Sequence, residues 1–125
     1  MLHLLDGLLT LLHTAIVLGN LLLWIPARTL RLHLVIVLGT TASWLGLGAF
    51  YGIGYCVLTD WHWQVKRALG EANLPGSFVH YGLEAITGAP WDPELVKRGT
   101  AGTFVVVAVI SIVRNVVAAR RRRAR

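Results

Sequence analysis

The sequence is short of the residues that build disulfide and metal sites. Its 125 residues include one cysteine, Cys56. A single cysteine excludes an internal disulfide, and it excludes a zinc or iron–sulfur site held only by cysteines of one chain. The five histidines form no H-x-x-x-H pair. The chain therefore carries no compact metal-binding motif.

Charged residues are also scarce. They make up 14% of the chain, whereas hydrophobic residues make up 55%. A water-soluble domain of this length carries more charge and less apolar surface. This composition predicts an integral membrane protein with a single domain, residues 1–125.

Three apolar stretches are each long enough to cross a hydrocarbon core of about 30 Å. They cover about residues 3–25, 32–58 and 95–119, and Pro26 separates the first two. The first stretch lacks a basic n-region and a cleavage site, so we interpret it as a retained helix and not as a signal peptide. In the third stretch, Arg114 lies near the end and can extend its charge to the headgroups.

The charges predict a topology. Arg28 and Arg31 lie between the first two stretches, and residues 120–125 form an arginine-rich tail. Since cytoplasmic loops collect Lys and Arg, both belong on the cytoplasmic side, with the N-terminus and residues 59–94 outside. A basic tail beside a membrane helix indicates topology and attraction to anionic lipid, and we predict no nucleic-acid partner.

The outer segment 59–94 predicts two short amphipathic helices that lie on the membrane surface. In the first, over residues 60–69, an apolar stripe repeats at helical spacing. In the second, Ser77 is the expected N-cap and Gly88 the expected stop. The predicted fold is therefore all-α, with three transmembrane helices and two interfacial helices on the outer face. The residues of the first stripe are Trp61, Val65, Ala68 and Leu69.

A polar stripe runs along one face of the first helix. Such a face should point at other helices, because polar groups are costly in lipid. It forms either a proton or ligand path or a set of hydrogen bonds that fixes the bundle, and we favour the second interpretation. Antiparallel depth matching also predicts a polar contact between His13 and the region of Trp44. The stripe consists of His3, Asp6, Thr10, His13 and Asn20.

No cofactor or catalytic set is predicted. His13 and His33 are candidate haem ligands, but their predicted depths differ by roughly 16 Å, too far for one iron. A haem or pigment shared with a partner stays an alternative. The outer residues of metal-binding type do not share one helix face, so we predict no metal site and no enzyme. Those candidates are His3, Asp6, Cys56, His62 and His80.

Small and aromatic residues suggest a partner interface. Rows of small residues let helices approach closely, and tryptophans gather at membrane boundaries. The candidates are Gly39, Ser43, Gly46, Gly48, Gly52, Trp61 and Trp63.

Two segments carry a family resemblance. The runs RLHLVIVLG at 31–39 and GYCVLTDWHWQVKRALGEANLPGSFVHYGLEAITG at 54–88 resemble the small bacterial membrane proteins of domain-of-unknown-function family 2784. Members typically have Arg-Leu-His at the start of the second helix, Cys-Pro-Leu-Thr at its outer end, and Ser-Phe before a short helix. Val57 replaces the usual proline. The matching positions are Arg31, His33, Cys56, Leu58, Thr59, Ser77 and Phe78.

The resemblance implies a bacterial inner-membrane protein but brings no activity. We expect a non-enzymatic accessory subunit that stabilises a larger membrane complex of the respiratory or photosynthetic kind. One alternative is a small oligomeric carrier or proton-linked transporter that uses Asp6 and His13. A second is a redox module that binds haem or quinone.

Overall fold

The computed structural model describes all 125 residues, and its regular structure is entirely helical. A 3-10 turn (Ala27–Thr29) precedes the second helix, and a π-helical segment (Ala42–Leu47) joins the second helix to the third. The helices are α1 (Leu2–Leu22), α2 (Leu30–Thr41), α3 (Gly48–Tyr51), α4 (Val57–Ala68), α5 (Phe78–Thr87) and α6 (Pro93–Arg123).

Three helical stretches are long and apolar enough to cross a membrane, as predicted. They are Leu2–Leu22, Ala27–Tyr51 and Pro93–Arg123, with mean hydropathies of 1.6, 1.6 and 2.0. The last long helix, α6, begins at Pro93, as the pattern Asp92-Pro93-Glu94 predicts for an N-cap and first turn, and the Asp92 carboxylate accepts a hydrogen bond from the Leu95 amide at 2.9 Å. An acidic N-cap followed by proline is a favourable helix start.

The second long helix ends at Tyr51, earlier than the stretch 32–58 expected from hydropathy alone. Gly52 and Gly54 have φ angles of 113° and 91°, which side chains with a Cβ rarely adopt. The π-helical segment frees the Trp44 carbonyl, which accepts the Gly54 amide at 3.1 Å. The chain therefore turns back on itself before α4 begins.

The first two long helices pack in the expected antiparallel register. α1 contacts α2, α4 and α6, and α2 packs along α6. The Asn20 side chain donates to the Thr40 hydroxyl at 3.3 Å, and the His33 Nε2 donates to the Asn20 carbonyl at 2.8 Å. At the same end of α1, Arg114 donates from α6 to the carbonyls of Trp24 and Ile25, which lie just past the helix. Arg114 therefore holds the connector after α1, a contact that the sequence did not indicate.

The bundle is polar inside and apolar outside. The largest fully buried side chains are His33, His62 and Ser111, whereas many leucines and valines of the long helices are exposed. This inversion of a water-soluble core is expected where lipid, and not water, surrounds the helices.

The two short helices bury polar residues within the chain. Of the apolar stripe expected on α4, only Val65 is buried, while Trp61 is 55% exposed. On α5 the buried residue is His80, and Ile86 is 87% exposed. On α4 the polar face, with Thr59, His62 and Lys66, is buried against α1, which leaves most of the apolar stripe facing out of the chain. The capping prediction for α5 is confirmed, since Ser77 accepts from the His80 amide and Gly88 is left-handed.

Candidate functional site

The polar stripe of α1 pairs with a second polar stripe on α4. Thr59, His62 and Lys66 lie at i, i+3 and i+7, so they share one helix face. Their contacts run from His13 at the start of α4 to Asp6 near its end, which makes the two helices antiparallel. We call these five residues and the side chains they contact the outer network, after the segment 59–94 that the charge pattern predicts to lie outside.

Asp6 and His62 form the centre of the outer network. The Nε2 of His62 lies 2.8 Å from Oδ1 of Asp6 and 3.3 Å from the Thr10 hydroxyl. The Thr10 hydroxyl itself donates to the Asp6 carbonyl at 2.8 Å. Because a carboxylate only accepts, the Nε2 of His62 must carry the donated proton. The His62 side chain is fully buried, while that of Asp6 is 23% exposed.

Lys66 joins the two carboxylates of the outer network. Its Nζ lies 3.1 Å from Oδ1 of Asp6 and 3.2 Å from Oε1 of Glu71, and 4.7 Å from the centre of the Tyr81 ring. Burial works against the Lys66 charge, but interactions with Tyr81, Asp6 and Glu71 outweigh burial and raise the pKa of Lys66 above its ordinary value. Lys66 therefore stays a cation although the residue is 4% exposed.

His13 occupies a separate, mostly neutral part of the outer network. Its Nε2 lies 3.5 Å from the Thr59 hydroxyl and 3.7 Å from the Cys56 thiol. Its ring stacks on Phe78, with ring centres 4.2 Å apart and planes 6° from parallel. The predicted contact of His13 with the region of Trp44 is replaced by these contacts, because α4 covers His13 first. Trp44 packs against Phe104 of α6 instead.

α5 and the turn before it close the outer network. The indole of Trp63 donates to the Pro75 carbonyl at 2.6 Å, which ties the NLPG turn to α4. The ring of Trp63 also meets Tyr81 edge-on, with centres 5.4 Å apart. At the start of α4, the Tyr55 hydroxyl donates to Asp60 at 2.7 Å, and this bond raises the pKa of Tyr55 to about 12. The segment 52–81 is thus fixed by specific side-chain bonds.

Three of the five metal candidates lie in the outer network, and two do not. Asp6 and His62 are paired, and Cys56 faces His13. His80 pairs with Glu84 at 3.0 Å, and His3 is exposed. No group of three or more His, Cys, Asp or Glu side chains is placed to hold one metal ion. The Nε2 atoms of the haem candidates also have different partners, Cys56 and Thr59 for His13 and the Asn20 carbonyl for His33.

Some of the interface candidates already make contacts within the chain, and others are exposed and free of such contacts. Ser43 donates to the Tyr55 carbonyl, Gly48 lies under Ile53, and Gly52 belongs to the turn. Trp63 is buried within the chain. Open positions are Gly39, Gly46 and Trp61: a Cβ at either glycine would meet nothing within 4 Å, and Trp61 is exposed.

Sequence reasoning did not include Thr59, Lys66 and Glu71 among the site residues. The signal was present, because Thr59, His62 and Lys66 repeat every three to four positions, as the α1 stripe does. The polar stripe of α4, matched with that of α1, was therefore the signal that these two helices pack together. The bond of Lys66 to Glu71 has no such signal, because Glu71 follows the end of α4.

The outer network has groups that can hold protons but gives them little contact with solvent. A carboxylate-oriented imidazole and a thiol beside an imidazole are arrangements that enzymes use. Here His62 is fully buried and His13 is 6% exposed. Fold and network together define a small helical membrane protein whose polar side chains hold its helices together.

The family of the chain follows from comparison with known sequences. The chain belongs to the family described as Protein of Unknown function (DUF2784), which matches residues 3–116. This confirms the resemblance noted in the sequence. No curated protein and no solved structure matches the chain.

Several residues that carry the resemblance converge in space. Cys56, Thr59 and Phe78 all contact His13. Val57, which replaces the usual proline, is the first residue of α4, where proline is well tolerated. Here the Val57 amide donates to the Ser43 hydroxyl at 3.4 Å, a bond that proline cannot make. The turn after Cys56 is therefore held by a hydrogen bond in place of a proline ring.

Proposed function

We propose that this chain is a non-enzymatic accessory subunit that packs against a larger integral membrane complex and stabilises it. The observation that carries the proposal is the division of its surface. The titratable groups of the outer network bind one another, so they are occupied in joining α1, α4 and α5. In each long helix, meanwhile, only 11% of the most apolar stretch is buried within the chain. Such a bundle offers more apolar surface to partners than interior space to a substrate.

The open glycines support a partner on the second long helix. Gly39 and Gly46 are seven residues apart, about two helical turns, and both are exposed. Small residues on an uncovered membrane helix let another helix approach its backbone. A leucine at these positions would hold that helix away while leaving the chain's own contacts intact.

The test is extraction of a tagged chain from its native membrane in mild detergent, followed by mass spectrometry. We expect a defined complex at near-stoichiometric amounts, and its subunits would identify a respiratory, photosynthetic or other assembly. The variant G39L/G46L should lose that complex, while the control G99L/G102L, which alters equally open glycines on α6, should keep it. Recovery of the chain alone from unmodified membranes would contradict the proposal.

We also propose an orientation with the N-terminus outside and the arginine-rich end in the bacterial cytoplasm. The support is the excess of arginine at the end of α6 and in the connector before α2. In this orientation α4 and α5 lie toward the outer membrane boundary. In a C56S background, a cysteine in place of Ala72 should react with an impermeant maleimide in intact cells. A cysteine in place of Arg125 should react only after lysis, and the reverse pattern would overturn the orientation.

A proton-linked carrier is the second candidate, and one observation favours it. Asp6 and His13, the two residues expected to carry protons, lie in one network whose two imidazole rings are 6.5 Å apart. Purified protein in vesicles should then collapse an imposed pH gradient, and D6N should abolish the flux without altering assembly. The control T14A, which changes an exposed residue of the same helix, should keep the flux. Vesicles that hold their gradient with the unmodified protein would remove this candidate.

A further inference from the structure

A cleft lies at the opposite end of the bundle from the outer network. Its volume is about 410 Å³, and it lies between the start of α2 and the last turns of α6. Its walls are of two kinds, apolar residues on the helices and arginines from the end of α6. The lining residues are Ala27, Leu30, Val113, Arg114, Val117, Ala118, Arg121, Arg122 and Arg125.

The arginines of this cleft have no acidic partner. All five salt bridges of the chain involve other basic groups, and four of the five lie in the outer network or on α5. Arg114 is already held in place, because its Nη1 donates to the carbonyls at the end of α1. A guanidinium has five N–H groups, so Arg114 keeps donors for a ligand. Four guanidinium groups around one cleft create a local excess of positive charge.

The apolar wall identifies the kind of anion that fits. Leu30, Val113 and Val117 lie beside the arginines, at the end of helices that are long enough to span a membrane. A soluble phosphate would gain nothing from this wall. A phospholipid would place its phosphate among the arginines, which bind phosphate oxygens in a fork geometry, and lay an acyl chain along the valines.

We propose that this cleft is a binding site for one anionic phospholipid. The lipid-site proposal rests on the arginine-lined apolar cleft and not on the accessory role. The lipid site and the accessory role can therefore each be disproved without the other. The site also differs from general attraction of a basic tail to a membrane, because only some of the tail arginines line the cleft. Arg121, Arg122 and Arg125 do so, whereas Arg120 and Arg123 point elsewhere around the helix.

The tail itself offers a matched pair of variants. R121Q/R122Q and R120Q/R123Q each remove two charges from the same turns of α6, but only the first pair lines the cleft. The probes are dioleoyl-phosphatidylglycerol and dioleoyl-phosphatidylcholine, which have the same acyl chains and differ in headgroup charge. Native mass spectrometry of the detergent-purified full chain measures how many lipids stay bound and how tightly.

We expect one phosphatidylglycerol bound in preference to phosphatidylcholine. R121Q/R122Q should weaken it by about thirtyfold, the order expected for removing two arginines near a lipid surface, while R120Q/R123Q should change binding less than twofold. V117W, which fills the apolar wall without changing the charge, should also weaken binding. Equal losses from the two double variants would show attraction to the tail as a whole and would overturn the proposal.

A second arm separates the lipid from free phosphate. Inorganic phosphate at 10-fold excess over the lipid should neither displace phosphatidylglycerol nor raise the melting temperature of the protein. Displacement by phosphate, with V117W binding the lipid normally, would show a simple anion site and would overturn the lipid assignment. Thermal unfolding of each variant in detergent checks that the fold is intact.

Discussion

The two ends of this bundle use charge in opposite ways. At the outer network, Lys66 pairs with Asp6 on the neighbouring helix and with Glu71 just after its own helix, and the Asp6 pair helps to fix which helix faces meet. At the other end, the last arginines of α6 lack acidic partners and are exposed, except that Arg114 is partly buried and binds the carbonyls of the connector after α1. Paired charges inside a bundle determine its packing, whereas unpaired charges at its end determine what it meets outside. Substitutions at the two ends should therefore differ sharply in their effect on stability.

The largest expected effect follows loss of the buried cation. Lys66→Met leaves Asp6 and Glu71 without their shared partner. Since these carboxylates are 23% and 41% exposed, we expect a cost at the lower end of the range of about 3–5 kcal/mol for breaking a buried pair. The control Lys97→Met removes an exposed lysine without an ion pair and should change the free energy of unfolding by less than about 0.5 kcal/mol. Unfolding in detergent with increasing dodecyl sulfate measures both. Similar values for the two variants would show that the ion pairs of Lys66 add no stability.

The ion pairs of Lys66 also predict that the stability of the fold depends on pH. The folded-state pKa of Lys66 is raised, so its contribution to stability is complete below the ordinary pKa of 10.5 and is lost as pH rises through the folded-state value. The free energy of unfolding should therefore decline in strongly alkaline solution, and Lys66→Met should show a smaller decline from this source. Unfolding series between pH 8 and 11.5 on both proteins test this. An equal decline in both would place its origin elsewhere.

The Asp6 and His62 bond should contribute less than the lysine. Asp6→Asn keeps the shape and a hydrogen-bond acceptor but removes the charge, so we expect a loss of about 1.5–3 kcal/mol. A double-mutant cycle that combines Asp6→Asn with His62→Gln gives the coupling energy of the pair. Hydrogen bonds between membrane helices measured in this way contribute about 0.6 kcal/mol on average. A coupling energy near zero would mean that Asp6 acts through Lys66 alone.

Two glycines of the second long helix sharpen the comparison between inside and outside. A Cβ at Gly48 would lie 3.1 Å from the Ile53 Cα, so Gly48→Ala must shift backbone and should cost about 1–3 kcal/mol. At Gly39 nothing lies within 4 Å, and Gly39→Ala should be neutral or stabilise by up to about 1 kcal/mol. Melting temperatures in detergent compare them directly. Equal shifts would show that the turn after α3 relaxes easily.

The smallest effect belongs to an exposed ion pair. Glu94 and Arg98 lie 3.3 Å apart at the start of α6, with side chains 60% and 79% exposed. Glu94→Gln should change the free energy of unfolding by less than about 0.5 kcal/mol, because water screens the pair. Compared with Lys66→Met, Glu94→Gln therefore has the smallest expected effect on the free energy of unfolding. A loss of several kcal/mol would mean that the start of α6 is buried in an assembly.

Much of the fold was predictable because bilayer crossing is a constraint on composition. The three long helices, the Asp92 and Ser77 caps and the Gly88 stop all follow from local patterns. The end of α3 was not predictable from hydropathy, since Gly52 and Gly54 interrupt an apolar run without changing its polarity. The polar face of α1 was predicted, but its partner helix was not, because periodicity shows that a face is buried and not against what.

The sequence by itself therefore determined the membrane setting, the family and the inward-facing stripe of His3, Asp6, Thr10, His13 and Asn20, of which His3 is exposed at the end. Only the tertiary structure decided that Asp6 meets His62 and Lys66, that His13 meets Cys56, Thr59 and Phe78, and that Arg114 binds the connector after α1. The physical reason is distance along the chain. These contacts join residues that are 43 to 90 positions apart in the sequence. Only the packing of whole helices brings such groups together.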